Sequence, residues 1–181
     1  MLIAVDIRCL ASHLRTGVAE YTYELLTALF SADRSNRYIL FYNSFEDASK
    51  YLPAWNYENV EFIAANIPNK LLHGSIAVSG RPYLDRFLES KIKRKIDCIF
   101  FPNLDFSSWS RTAKVILTVH DLSFELLPDC FTLKQEWRHK IIKPRAQCLK
   151  AHKILVPSEN TKQDLMTQYA LEADKIRVVY P

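Results

Sequence analysis

Glycine is scarce in this chain, with 3 among 181 residues, where ordinary usage of about 7% gives about 13. A glycine-rich loop cradling a dinucleotide or a nucleoside triphosphate is not expected. None of G-x-G-x-x-G, G-x-x-x-x-G-K or G-x-S-x-G occurs. Metal-binding patterns are missing too: there is no H-E-x-x-H and no C-x-x-C. The absence of D-x-D argues against a carboxylate pair gripping a divalent metal on a diphosphate. Cys9, Cys98, Cys130 and Cys148 form no close pair and read as reduced thiols. The opening run Met1–Val5 meets Asp6 and Arg8 at once, so no signal-peptide core is expected. No apolar run approaches the roughly 18 residues that cross a bilayer. The expected location is cytoplasmic.

Hydrophobic residues make up 49% of the chain and charged residues 24%, which excludes long disorder. A chain of this length buries about 70% of its surface, enough for one core, so a single domain over residues 1–181 is expected. The net charge of +4 suits an anionic ligand or an anionic membrane surface. Nucleic acid is not expected, because no basic stripe interleaved with aromatics appears. The densest basic run, Lys91-Ile92-Lys93-Arg94-Lys95, reads either as a solvated helix end or as a lipid-headgroup contact.

Apolar runs alternate with helical patterns throughout. Strands are predicted at Leu2–Val5, Tyr38–Tyr42, Val60–Ile63, Cys98–Phe101, Val115–Val119, Ile154–Val156 and Ile176–Tyr180. Helices are predicted over Val18–Phe30, over Arg81–Lys95 with Pro82 in the first turn, over Leu133–Lys150 with a kink or break at Pro144, and from an N-cap at Ser158 to Tyr169. Residues Asn66 to Gly80 read as irregular. This alternation means an α/β domain: a Rossmann-like parallel sheet with helices on both faces. Ligands in such sheets bind beyond the carboxyl ends of the strands. The residues there are Asp6 to Gly17, Pro102-Asn103, His120-Asp121 and Ser158-Glu159.

Two features carry candidate chemistry. His120 follows directly on a strongly apolar strand, where an imidazole can hold a hydroxyl or move a proton, or can cap loop amides. Asp121 can orient that ring or cap the next turn. Gly17 stands before the helix that opens at Val18, and free amides at a helix start favour an anion. An ordinary glycine at a helix start is the competing reading. His13, His73, His139 and His152 read as surface or loop histidines.

The order of several stretches adds a resemblance. They are "IAVDIRCL" at Ile3–Leu10, "TGVAEYTYELLTAL" at Thr16–Leu29, "FFPN" at Phe100–Asn103 and "VILTVHDLSFELLPDCF" at Val115–Phe131. "KILVPSENTKQDL" at Lys153–Leu165 and "KIRVVYP" at Lys175–Pro181 follow. In this order the chain resembles the N-terminal domain of family 4 glycosyltransferases, which is one half of a GT-B fold, and looks closest to bacterial mannosyltransferase-like members. The resemblance implies metal-independent transfer of a sugar from a nucleotide-sugar donor to an acceptor hydroxyl, with retention at the anomeric carbon. The acceptor would be a glycan or a lipid-linked sugar, which allows peripheral membrane contact at the inner face. It implies that His120, with Asp121, is catalytic, that Gly17 and Val18 approach the donor diphosphate, and that Asn103 and residues 66–80 lie on the acceptor side. It also implies a C-terminal nucleotide-sugar domain that residues 1–181 do not contain. Ala19 and Glu20 stand where many relatives carry Gly and Arg. Phe100 and Phe101 stand where relatives are often polar, pointing to a more apolar acceptor pocket. A non-catalytic Rossmann-like binding or scaffolding domain is the alternative that fold alone leaves open.

Overall fold

A computed structural model describes residues 1–12, 15–44 and 48–180. Seven parallel strands form one sheet: β1 (Leu2–Asp6), β2 (Arg37–Tyr42), β3 (Val60–Ala64), β4 (Cys98–Phe101), β5 (Val115–Thr118), β6 (Lys153–Val156) and β7 (Ile176–Val178). Their spatial order is β3-β2-β1-β4-β5-β6-β7. The order reverses between β1 and β4, and that reversal opens a crevice at the carboxyl ends of the two strands. Among the described residues, seven α-helices connect or cover the sheet: α1 (Gly17–Ala32), α2 (Asn69–Ser79), α3 (Leu84–Ile92), α4 (Ser123–Leu126), α5 (Leu133–Ile142), α6 (Pro144–Lys150) and α7 (Glu159–Tyr169).

The strand runs are apolar on both sides because both faces of the sheet are covered. Side chains alternate along each strand. Val5, Leu40 and Phe100 pack with Leu26 and Phe30 of α1 in one core. Ala4, Ile39, Phe41, Ile99 and Phe101 face the other core, with Leu88 of α3 and Leu165 of α7. This is the Rossmann-like α/β arrangement expected from the alternating pattern.

Two readings of local structure are corrected and a third is resolved. Residues 66–80 are not irregular, since they contain α2, which ends on Gly80 at φ +67°. The apolar pattern there is weak because α2 lies flat on the surface, with Leu72 its one buried residue. Pro82 lies ahead of α3 rather than in its first turn, following a cis peptide bond. Of the two outcomes at Pro144, a break is observed: Lys143 adopts φ 56° between α5 and α6, and Pro144 opens the second helix. The basic run at Lys91–Lys95 spans the end of α3, where Lys93 is left-handed at φ 56°.

Phe100 and Phe101 are core residues on opposite faces of the sheet, 7% and 1% exposed. Neither lines the cleft that holds His120, so they do not make an acceptor pocket there more apolar.

Candidate functional site

The cleft lies at the carboxyl rim, has a volume of about 490 Å³, and receives residues from β1, α1, β4, β5, α4 and α5 or the loops that follow or precede them. Val18, Asn103, His120 and Asp121 line it together. Gly17 begins α1 beside Val18 but is not among the lining residues. A Cβ on Gly17 would meet nothing within 4 Å, so this chain leaves open space there rather than a tight backbone approach.

His120 is held from three directions. Its Nε2 lies 2.9 Å from the Pro102 carbonyl oxygen. A carbonyl only accepts, so Nε2 carries the proton and Nδ1 keeps the lone pair. The edge of Tyr21 meets the imidazole at 89°, with ring centroids 4.8 Å apart. The main chain is fixed by Thr161 of α7, whose hydroxyl donates to the His120 carbonyl oxygen at 3.2 Å. Burial lowers the imidazole pKa, partly offset by the Pro102 hydrogen bond and the Asp121 charge. The ring is therefore neutral near neutral pH.

Asp121 takes the capping role. Its Oδ1 accepts from the Ser123 amide at 2.9 Å and the Ser123 hydroxyl at 2.5 Å, holding the first turn of α4. Asn103 donates weakly to the Leu104 carbonyl oxygen at 3.4 Å. Thr16 caps α1, accepting from the Ala19 amide at 3.3 Å. The Glu20 carboxylate in that first turn is answered by Arg15 at 3.1 Å. Beneath His120, the buried hydroxyls of Tyr21 and Thr118 have no partner at hydrogen-bonding geometry. Burial raises the Tyr21 phenol pKa, and the nearby Thr118 works in the other direction.

Several lining residues were not assigned from sequence. Arg8, just past β1, forms a buried pair with Asp6 at 2.6 Å and also donates to the Phe106 carbonyl oxygen at 3.0 Å and to Ser107 Oγ at 3.1 Å. Burial opposes its charge most strongly, yet the neighbouring Asp6, with smaller help from Asp105 and Cys9, leaves the guanidinium pKa raised. Arg138 reaches Asp105 at 2.8 Å. Of the surface and loop readings of His139, the residue fits the first: it sits half-buried on α5, stacked on Phe124 with ring centroids 4.2 Å apart, and lines the cleft. His73 on α2 stacks on Phe106 at 4.6 Å, and His152 Nδ1 accepts from the Val115 amide at 3.2 Å. His13 lies outside the described residues. The chain separation of these partners hid them. Arg8 and Ser107 are ninety-nine positions apart, so no local pattern links them. All four cysteines are free thiols.

Among the described residues, no three His, Cys, Asp or Glu side chains are grouped so as to hold a metal. Among them too, no helix is long and apolar enough to cross a membrane.

A Rossmann-like α/β domain with a half-buried histidine beside its topological switch point has its cleft where such sheets hold ligands. The profile of Glycosyltransferase Family 4 matches residues 15–181, and the chain belongs to that family. Among solved structures it is similar to a variant of the wall teichoic acid polymerase TagF, with a TM-score of 0.52 and 9% identity. That match covers 99% of this chain and 37% of the polymerase chain, so the likeness is one of fold, to part of a larger protein. No curated protein sequence matches.

Proposed function

We propose that this domain is the acceptor-binding half of a retaining glycosyltransferase. It would help move a sugar from a nucleotide-sugar to an acceptor hydroxyl on a glycan or lipid-linked sugar, in surface polysaccharide or glycolipid synthesis. The observation that carries the reading is His120, a half-buried neutral imidazole at the switch-point rim of a family 4 chain. With Nε2 committed to Pro102, Nδ1 remains to accept a hydrogen bond from a sugar hydroxyl. Asp121 contributes by fixing the turn that follows the histidine. Gly17 and Val18 would offer amides and a partial positive charge to the donor diphosphate. Asn103, next to the Pro102 carbonyl that His120 meets, would face the acceptor. The nucleotide itself would be held chiefly by a second Rossmann-like domain. The active site would sit on the cytoplasmic side, and a divalent metal would not be required, since D-x-D is absent from the sequence.

The test uses the intact enzyme, with transfer of radiolabel from a nucleotide-sugar to acceptor. His120→Ala is expected to lower turnover by about 10²-fold, with a change in stability of about 1 kcal/mol. Activity should survive EDTA. Normal specific activity accompanied by a large fall in melting temperature would reject the site role of His120. Failure of the intact protein to transfer from any nucleotide-sugar would favour a binding module.

A further inference from the structure

Helix α5 turns Leu133 and Trp137 away from the domain, with Ile141 at the edge of that face, where it also borders a cleft against α2. A surface helix normally points its apolar stripe inward. In α5 only Ile142 is buried, whereas Leu133 is 77% exposed, Trp137 66% and Ile141 38%. Their spacing is i, i+4, i+8, so at about 100° per residue they form one stripe, opposite Ile142. On the same wheel Lys140 borders the stripe beside Leu133 and Lys134 borders it beside Ile141. Polar and stacking contacts hold the helix in place instead. These are the capping box of Thr132 and Gln135, the Arg138–Asp105 pair and the His139–Phe124 stack.

The charge is as one-sided as the apolar stripe. From Leu133 to Lys150 there are six Lys or Arg residues and one acid, Glu136, which sits 4.0 Å from Lys140. That excess alone is greater than the net charge of the whole chain, +4. The basic run at Lys91–Lys95 has no exposed large apolar side chain within it, among the described residues.

We propose that this face of α5 lies on an anionic lipid bilayer. Leu133, Trp137 and Ile141 would enter the boundary between headgroups and acyl chains, with Lys134, Lys140 and Lys143 on lipid phosphates. An apolar stripe containing Trp and bordered by lysines matches the chemistry of an interfacial helix. A second copy of the chain fits less well, because twofold packing of α5 sets its lysines against one another. Arg138 and His139, on other sides of the same helix, line the cleft that holds His120. Membrane contact thus brings the cleft within about one helix diameter, ~10 Å, of the lipid surface. That position selects a lipid-linked acceptor, a corollary that rests on the glycosyltransferase reading. The membrane contact itself does not.

Trp55 and Trp109 are buried, 7% and 2% exposed, so Trp137 is the tryptophan whose surroundings a membrane would change. Phosphatidylcholine vesicles with and without phosphatidylglycerol are titrated into the chain, without donor or acceptor. Phosphatidylglycerol vesicles should shift tryptophan emission to the blue and carry the chain into the pellet. Each basic residue engaged is worth about fivefold in affinity, from about 1 kcal/mol per Lys. Lys134→Glu with Lys140→Glu should therefore weaken pelleting by tens of fold. Leu133→Ser with Trp137→Ser should abolish pelleting and leave the thermal melt unchanged. Three results would overturn the proposal: no pelleting, pelleting untouched by the Leu133/Trp137 pair, or a dimer dissolved by that pair with no vesicle binding. None of them depends on the transfer assay, so this inference and the glycosyltransferase reading fail separately.

Discussion

His73, His120 and His139 share one property: burial is the first cause lowering each imidazole pKa. In the unfolded chain each titrates near its ordinary value of about 6.5. As pH falls through that value the unfolded state takes up protons that the folded state refuses. Stability is therefore full above about pH 7 and declines toward pH 5. Asp33 belongs to a separate window. Hydrogen bonds from Tyr38, Asn36 and Ser35 hold its carboxyl below the usual range, so its contribution is lost only at more acidic pH. Urea melts at pH 7.5 and pH 5.5 should show a lower midpoint at pH 5.5, and His120→Gln should remove part of the difference. An equal or higher midpoint at pH 5.5 refutes this. Thiol chemistry is quiet where it touches the site. Burial pushes Cys9, on the cleft wall, up to about 11 and Cys148 up to about 12, so both stay protonated.

Element placement depends on a few buried polar contacts. Asp85, in the first turn of α3 and 3% exposed, accepts from the Ser110 amide at 2.9 Å and the Ser110 hydroxyl at 2.5 Å. It ties α3 to the segment entering β5. Asp85→Ala leaves a buried amide without an acceptor and should cost about 2–3 kcal/mol, whereas Asp85→Asn should cost less. A urea midpoint within error of the parent for the Ala variant would remove Asp85 from this role. The strands were readable before such contacts were known. Val115–Thr118 and Leu2–Asp6 are short apolar runs, and a sheet covered on both faces demands such runs. His120 was readable because it follows one of them directly. Helix α2 was not, since a helix with a single buried residue leaves no stripe in its sequence. Arg8, Arg138 and His139 were not, because the residues that join them at the cleft, Ser107, Asp105 and Phe124, are distant in the chain. Only the folded sheet order brings those together.

At the scale of the molecule, the chain exposes 10442 Å², above the roughly 9,000 Å² expected for its mass. Outward-facing residues such as Leu71 and Val78 of α2 and Trp137 of α5 contribute to that surface. One core reaches all seven strands and the other six of them, so residues 1–181 should melt cooperatively. The same chain alone should bind a nucleotide-sugar in the millimolar range or not at all. The start of α1 supplies about half a positive charge for a departing diphosphate, and Arg15 in its vicinity is occupied by Glu20. Calorimetry decides this, and micromolar affinity would show that one domain suffices for the donor. The parallel sheet has a further consequence. Every strand delivers its chain to the same rim, so the segments 103–108 and 121–127 that border the cleft begin where buried strands have already ended. Mutation can redraw these segments while the interlocked alternation of Ala4, Val5, Ile39 and Leu40 stays untouched. Over evolutionary time, taste for a new ligand can drift on such a platform without the scaffold having to be reinvented.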